Sequence, residues 1–202
     1  MNASTHLAGW FNGGSNSVDK AMRKGMKVVK KMCNITHIET DLGTMVAGAT
    51  DKGICMFEFA DYKLLDLELR QLAASFKTSL VQGESPYFDT LREQLDAYFK
   101  GERKVFDIPL DLVGTEFQKQ VWLSLLQIPY GSTTTYAKQA ERVGKPTAVR
   151  AVANANGKNK ISIILPCHRV IGTDGSLTGY GGGIWRKKKL LEFENWISQK
   201  CN

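Results

Sequence analysis

Between residues 35 and 59 the chain alternates in period two, and this pattern limits its fold more than any other feature. ITHIET, TMVAGA and ICMFEF place apolar and polar residues on opposite sides of an extended backbone. The intervening DLG and TDKG are Asp/Gly turns of the kind that join neighbouring strands antiparallel. A three-stranded meander is therefore expected. The pattern then changes. Residues 62–76 (YKLLDLELRQLAASF) space their apolar positions helically, and SPYFDTLREQLDAYF predicts a second helix with Ser85 as N-cap and Pro86 in its first turn. These elements make a small α+β domain with nothing catalytic in it, and KVFDIPLDL (104–112) is expected to cross to a second domain.

The second domain opens with GTEFQKQVWLSLLQIPYG, where Phe117, Val121, Leu125 and Ile128 form one helical stripe stopped by Pro129 and Gly131. Two short helices follow: 134–143 ended by Gly144, and 146–156 started by Pro146 and ended by Gly157. So tight a connection reads as a helix-turn-helix. At 100° per residue, Ala148, Ala151, Val152 and Ala155 fall on the expected core face of the second helix. Arg150, Ala153, Asn154 and Gly157 fall opposite. A helix that reads base edges presents several long polar side chains. This one offers a single arginine among small residues, which suits close backbone approach to nucleic acid.

Charge agrees with that reading. Residues 1–114 hold 14 Lys/Arg against 15 Asp/Glu, and residues 115–202 hold 13 against 5, so the whole-chain excess of +7 lies in the C-terminal part. Such asymmetry points to a polyanion. No run approaches the ~20 apolar residues of a membrane span, and the N-terminus lacks a basic segment followed by an apolar one. A cytoplasmic (or nuclear) protein without membrane contact is expected. The four cysteines show no CxxC pairing and no zinc spacing, so each is expected to be a free thiol. Residues 17–31 (SVDKAMRKGMKVVKK) could form a short basic helix.

The chemistry concentrates in ILPCHRVIG, residues 164–172. ISIIL (161–165) reads as a buried strand that Pro166 ends, delivering Cys167 to an element end. A nucleophilic cysteine needs a cation or an imidazole to favour its thiolate, and His168 and Arg169 offer both. Neighbours in extended chain point apart, so either the chain turns there or a water bridges thiol and imidazole. The final helix, about 184–199, places Glu194 on the apolar stripe of Leu190, Leu191 and Ile197, where a carboxylate needs a partner. GYGGG (179–183) permits close backbone approach to a ligand. WRKKK (185–189) sets four cations at a helix N-terminus, a conflict that a phosphate backbone would resolve.

In order, GTEFQKQVW, IPYGSTTTY, KPTAVRAVANANGKN, ILPCHRVIG and GSLTGYGGGIWRKKKLLEFE resemble the O6-alkylguanine-DNA alkyltransferase family across the C-terminal half. The resemblance implies a ribonuclease H-like antiparallel sheet domain with helices at 33–112, preceded by an extension at 1–32. It also implies a mostly helical, winged-helix-like domain at 113–202. Cys167 would take the alkyl group from guanine O6, with O4 of alkylthymine as a second candidate substrate. His168 would be the base acting through a water, Glu194 its orienter, Asn159 the residue fixing the backbone turn, and Tyr136 the group assisting proton delivery. Arg150 would fill the gap left by a flipped nucleotide, with Tyr136, Ala151, Gly157 and Lys158 along the DNA. Tyr180, Gly181, Val170 and Trp122 would line the pocket, the carbonyls of Cys167 and Val170 accepting the guanine amino group. The partner would be double-stranded DNA with alkylated bases, bound by a monomer in one irreversible turnover without cofactor or metal.

The chain departs from the family pattern in places. Gly181 replaces a serine of some members, and Lys160 replaces a common proline. Thr50 and Cys55 stand near where a zinc site would need cysteine and histidine. Two other readings predict different behaviour: a sensor that binds lesions without repair lacks the motif cysteine, and a cysteine hydrolase of small molecules turns over repeatedly.

Overall fold

A computed structural model describes residues 32–200 of the protein; the expected basic helix at 17–31 lies outside them. The meander is present as β1 (Cys33–Ile38), β2 (Met45–Thr50) and β3 (Gly53–Phe59), paired antiparallel in chain order. Period-two alternation sorts its side chains into two clusters. Val46, Met56 and Ile35 pack with Leu65, Leu69 and Leu72 of α1 (Leu65–Phe76), whereas Met45, Ala47 and Phe57 pack with Phe88, Leu91 and Tyr98 of α2 (Pro86–Phe99). Both faces of β2 and β3 are therefore buried. Ser85 caps α2 by accepting a hydrogen bond from Tyr87 N at 3.4 Å, and Pro86 is its first residue.

Two details differ from expectation. α1 starts at Leu65 rather than 62, and a fourth strand, β4 (Leu80–Gln82), pairs parallel with β1 to give the order β3-β2-β1-β4. Three residues are too few to show a period. The opposite edge strand, β3, has its own cover. Ile54 N donates to Pro109 O (2.8 Å) and Phe57 N to Lys160 O (2.8 Å), while Ser162 N donates back to Phe57 O (2.7 Å). The linker and the loop leading to Cys167 thus satisfy backbone groups that an open edge would expose.

The C-terminal half comprises α3 (Glu116–Leu125), β5 (Thr134–Thr135), α4 (Tyr136–Arg142), α5 (Val149–Asn156), a 3-10 turn at Cys167–Arg169, β6 (Val170–Ile171) and α6 (Ile184–Lys200). A reciprocal capping box between Thr115 and Gln118 starts α3. α4 begins two residues later than expected because Thr134 and Thr135 extend to pair with β6 in parallel. Likewise α5 begins at Val149, since a turn closed by Ala148 N to Lys145 O (2.9 Å) absorbs Pro146. The face assignment of α5 also needs correction. Ala151 is exposed, and Asn156 takes the inward place because its amide donates to Gln139 Oε1 at 2.6 Å. Gln139 in turn donates to Val121 O and Ser124 Oγ, making a buried amide network that ties α3, α4 and α5 together. Among the described residues no helix is long and apolar enough to cross a membrane.

Candidate active site

The segment before the thiol is buried, but it is not the expected strand. Ile161 forms a single bridge with Phe57, and the chain then makes two three-residue turns. One closes from Ile164 N to Ser162 O (2.9 Å) around Ile163, whose φ is 71°; the other closes from Cys167 N to Leu165 O (2.7 Å) around Pro166 at φ −79°, ψ 62°. A positive φ at a β-branched residue costs about 1–3 kcal/mol and persists only where surroundings enforce it. Asn159 is the enforcer. Its Oδ1 accepts from Ile161 N (3.0 Å), and its Nδ2 donates to Leu165 O (2.9 Å) and reaches Cys167 Sγ at 3.3 Å. One buried amide fixes both ends of the loop and touches the sulfur.

Cys167 therefore arrives on a 3-10 turn, so of the two geometries left open by the sequence the chain does turn. Cys167 and His168 share no hydrogen bond in the structure. His168 is fully buried and its Nε2 lies 2.9 Å from Glu194 Oε1, while Nδ1 has no partner. A carboxylate can only accept, so Nε2 carries the proton and Nδ1 keeps a lone pair. Glu194 is itself sealed. Oε1 also accepts from Tyr98 OH (2.8 Å) and Arg169 Nη2 (2.9 Å), and Oε2 accepts from Arg169 Nε (2.9 Å) and Gly131 N (3.2 Å). Burial alone would raise this carboxyl; His168 and Arg169 outweigh it and hold Glu194 well below the usual carboxylate range. Burial also lowers His168, against the pull of Glu194, so the imidazole is neutral at pH 7. The standing ion pair is then Glu194 with Arg169 rather than with His168.

Burial pushes the Cys167 thiol up to about 11, with the Asn159 amide and the Lys187 ammonium pulling the other way. Lys187 is the second surprise. It is fully buried, and its Nζ donates to Val170 O and Thr178 O, both at 2.6 Å. Arg186 is also internal: it forms a two-pronged pair with Asp61, donates to Leu42 O, and stacks 4.1 Å from the Phe59 ring centroid. Two of the four WRKKK cations are thus structural, and only Lys188 and Lys189 remain at the surface to meet phosphate, beside Glu192.

Tyr136 OH donates to Thr178 O (3.1 Å), and burial raises its phenol. Tyr180 is buried edge-on to His168, 6.5 Å between centroids. Gly181 is exposed beside Tyr62 and Glu58. The carbonyls of Val170 and Cys167 each already accept one bond, from Lys187 and from Val170 N, and each retains a second lone pair. Trp122, expected to line the pocket, belongs to the buried cluster that holds Cys167, Val170 and Tyr180. It lies beneath α5, where its indole N-H donates to Ala155 O at 2.7 Å, and so braces that helix from the core. Arg150, Ala151, Gly157 and Lys158 share the exposed side of α5 and its C-terminal end. Tyr98 and Lys187 were missed as site residues, and Arg169, expected to support the thiolate, pairs with Glu194 instead, although a buried Glu194 does signal that some cation must face it. Among the described residues no cluster of three or more His, Cys, Asp or Glu side chains is placed to hold a metal ion.

Fold and site together define a two-domain α+β protein with one cysteine mounted in a closed loop next to an exposed, small-residue helix. Residues 35–112 match the family model for the ribonuclease-like domain of 6-O-methylguanine DNA methyltransferase, and residues 116–196 match that for its DNA binding domain. The chain belongs to this family. A methylated-DNA–protein-cysteine methyltransferase of Methanosarcina barkeri is 41% identical over 157 residues, 78% of this chain and 94% of the relative. One from Mycobacterium tuberculosis is 61% identical over 102 residues, 50% of this chain, and that match spans 62% of the relative's length. The crystal structure of Mycobacterium tuberculosis O6-methylguanine methyltransferase superposes with a TM-score of 0.70 at 40% identity, over 82% of this chain and 94% of the other. That of Mycobacterium tuberculosis OGT in complex with DNA gives 0.69 at 40%, with the same coverage.

Proposed function

We propose that the chain is a DNA-repair alkyltransferase that moves the alkyl group of O6-alkylguanine in duplex DNA onto Cys167. The observation that carries this reading is the arrangement of the buried thiol, held by Asn159, next to a neutral imidazole whose free nitrogen is Nδ1 and whose other nitrogen is fixed by Glu194. The S–C bond forms as the O6–C bond breaks. The thiol proton passes through a water to His168 Nδ1, giving an imidazolium stabilised by Glu194, and the departing guanine regains a proton with the help of Tyr136. A thioether has no easy way back, so each molecule acts once.

A base inside a duplex cannot reach a thiol this enclosed, and must be flipped out. The α4–α5 pair would act as a helix-turn-helix whose α5 lies in the minor groove. Arg150 would enter the stack, with Ala151, Gly157 and Lys158 letting the backbone approach. The solved DNA complex of a relative supports this partner. Units at 33–112 and 113–202, action as a monomer, and a cytoplasmic or nuclear site of action complete the reading. Incubation with duplex carrying labelled O6-methylguanine should place one label per protein on Cys167, located by mass spectrometry of its peptide. Unlabelled Cys167 in folded, DNA-binding protein would refute the proposal, and repeated turnover would favour a hydrolase.

A further inference from the structure

A buried carboxyl that the mechanism above does not use stands behind the nucleophile. Glu58, on β3, is 1% exposed; its Oε1 accepts from Phe59 N at 2.9 Å and its Oε2 from Ser162 Oγ at 2.8 Å. Ser162 belongs to the loop that Asn159 folds and that ends at Cys167, and its backbone N-H is bonded to Phe57 on the same strand as Glu58. Among the described residues no cation pairs with this carboxyl: the Arg186 guanidinium is committed to Asp61, Leu42 and Gly182. Glu58 also lies close enough to Cys167 for charge on either group to oppose charge on the other.

We propose that Glu58 is a positioning residue of the active site that works as a neutral acid, holding the Ser162 side of the nucleophile loop while leaving Cys167 as the only group there to become an anion. Two anions in one sealed pocket are costly, and a thiolate has to form beside this carboxyl during transfer. Burial, rather than its hydrogen-bond partners, favours the neutral form, in which the bond to Ser162 reverses and the acid O-H donates to the serine hydroxyl oxygen. Burial comes first, pushing it up to about 8, with the nearby Glu68 of α1 adding to the rise. The Phe59 N-H, the Ser162 hydroxyl and the more distant charge of Arg186 on α6 pull down without overcoming burial. Tyr62 and Tyr180 flank it as neutral phenols, each raised first by burial. Lys187 lies on the Cys167 side and lowers the thiol. At pH 7 the pocket is therefore uncharged at Glu58. As pH rises past 8 the carboxyl ionises and opposes the thiolate just where bulk pH would favour it.

The inference deepens the alkyl-transfer reading but does not need it for its test, because Cys167 can be titrated with a small electrophile. Full-length wild type, Glu58→Gln and Ser162→Ala are to be reacted with iodoacetamide from pH 6.5 to 9.5. Cys167 modification is followed by mass spectrometry of its own peptide, and a parallel series uses O6-methylguanine duplex. With only the neutral form of Glu58 competent and its midpoint at about 8, the wild-type rate at pH 9 should fall about tenfold below that of Glu58→Gln, relative to each protein at pH 7. Ser162→Ala removes a donor that favours the ionised form, so its bend should move to higher pH than in wild type. It also remains informative if the glutamine variant does not fold. Superimposable profiles for wild type and the folded variants would overturn the inference. If iodoacetamide shows the bend while DNA transfers no label, Glu58 keeps its role and the alkyl-transfer reading fails instead.

Discussion

Arg169→Leu isolates the interaction on which the site's electrostatics rest. The side chain is 8% exposed and its partner Glu194 0%. It supplies Nε and Nη2 to the carboxylate at 2.9 Å each, and Nη1 to Ile128 O at 2.7 Å. Leucine fills much of the volume and removes all three donors. Tyr98, Gly131 and a neutral His168 would still hydrogen-bond Glu194, but no positive charge would be bonded to it. Breaking a buried pair in this way costs about 3–5 kcal/mol. For a chain of this size each kcal/mol lowers Tm by roughly 2–4 °C, so thermal unfolding followed by circular dichroism at pH 7 should move down by about 6–20 °C. The deficit should shrink in acid, because the carboxyl without its guanidinium takes up a proton more readily in the folded state. Arg169→Leu/Glu194→Gln should recover most of the loss by removing the orphaned charge, a coupling that a double-mutant cycle reads directly. A single variant within about 1 kcal/mol of wild type, or a double variant whose losses simply add, would refute the argument that Arg169 carries the countercharge.

Cys167→Ala should accept no label while binding alkylated duplex, measured by fluorescence anisotropy, as tightly as wild type to within a few-fold. Arg150→Ala should slow repair of duplex more than reaction with the free base O6-methylguanine; equal loss on both substrates contradicts an inserting role for the arginine. Glu194 also sets a pH dependence of stability. Its folded pKa lies below its unfolded value of ~4.3, so its contribution is complete above that pH and is lost as pH falls through the folded value. Urea melts between pH 3 and 6 should therefore show a steeper acid loss in wild type than in Glu194→Gln.

The three meander strands, α2 with its Ser85–Pro86 start, and α3 were legible because each rests on a local signal: period two, a capping residue, or a stripe interrupted by proline. ISIIL shows where such signals fail. Four apolar residues around a single serine, three of them isoleucine, match a buried strand as well as sequence can express it. Their backbone path is instead set by the Asn159 amide and by Phe57, 104 residues before Ile161 in the chain. Ala151, expected on the core face of α5, is exposed for a related reason, since a helical wheel cannot show that Asn156 is drawn inward by a facing Gln139. The chemistry of PCHR was visible as a Cys-His pair, and Glu194 as a carboxylate out of place. Arg169 as its partner was not, because nothing local distinguishes an arginine that folds inward from one that meets phosphate. WRKKK misled in the same way: its first two cations, Arg186 and Lys187, end inside the protein on Asp61 and on two carbonyls.

These long-range ties bear on what the N-terminal domain does, since composition and motifs suggested that it does nothing chemical. Tyr98 OH from α2 is bonded to the same Glu194 oxygen that holds His168. Two carboxylate oxygens offer about four acceptor sites. Tyr98, His168, Gly131 and the arginine fork fill them, so the orientation of the carboxylate towards the imidazole is set by donors from both domains. On the other side of the thiol, β3 pairs with the nucleophile loop through Phe57 and braces it through Glu58. Arg186 closes the third side by joining α6 to Leu42 and Asp61. The C-terminal domain carries Cys167, His168 and Glu194, but their mutual geometry is fixed from across the domain boundary. Changes in the first domain at Tyr98 or Phe57 should therefore act on the rate of alkyl transfer as well as on stability.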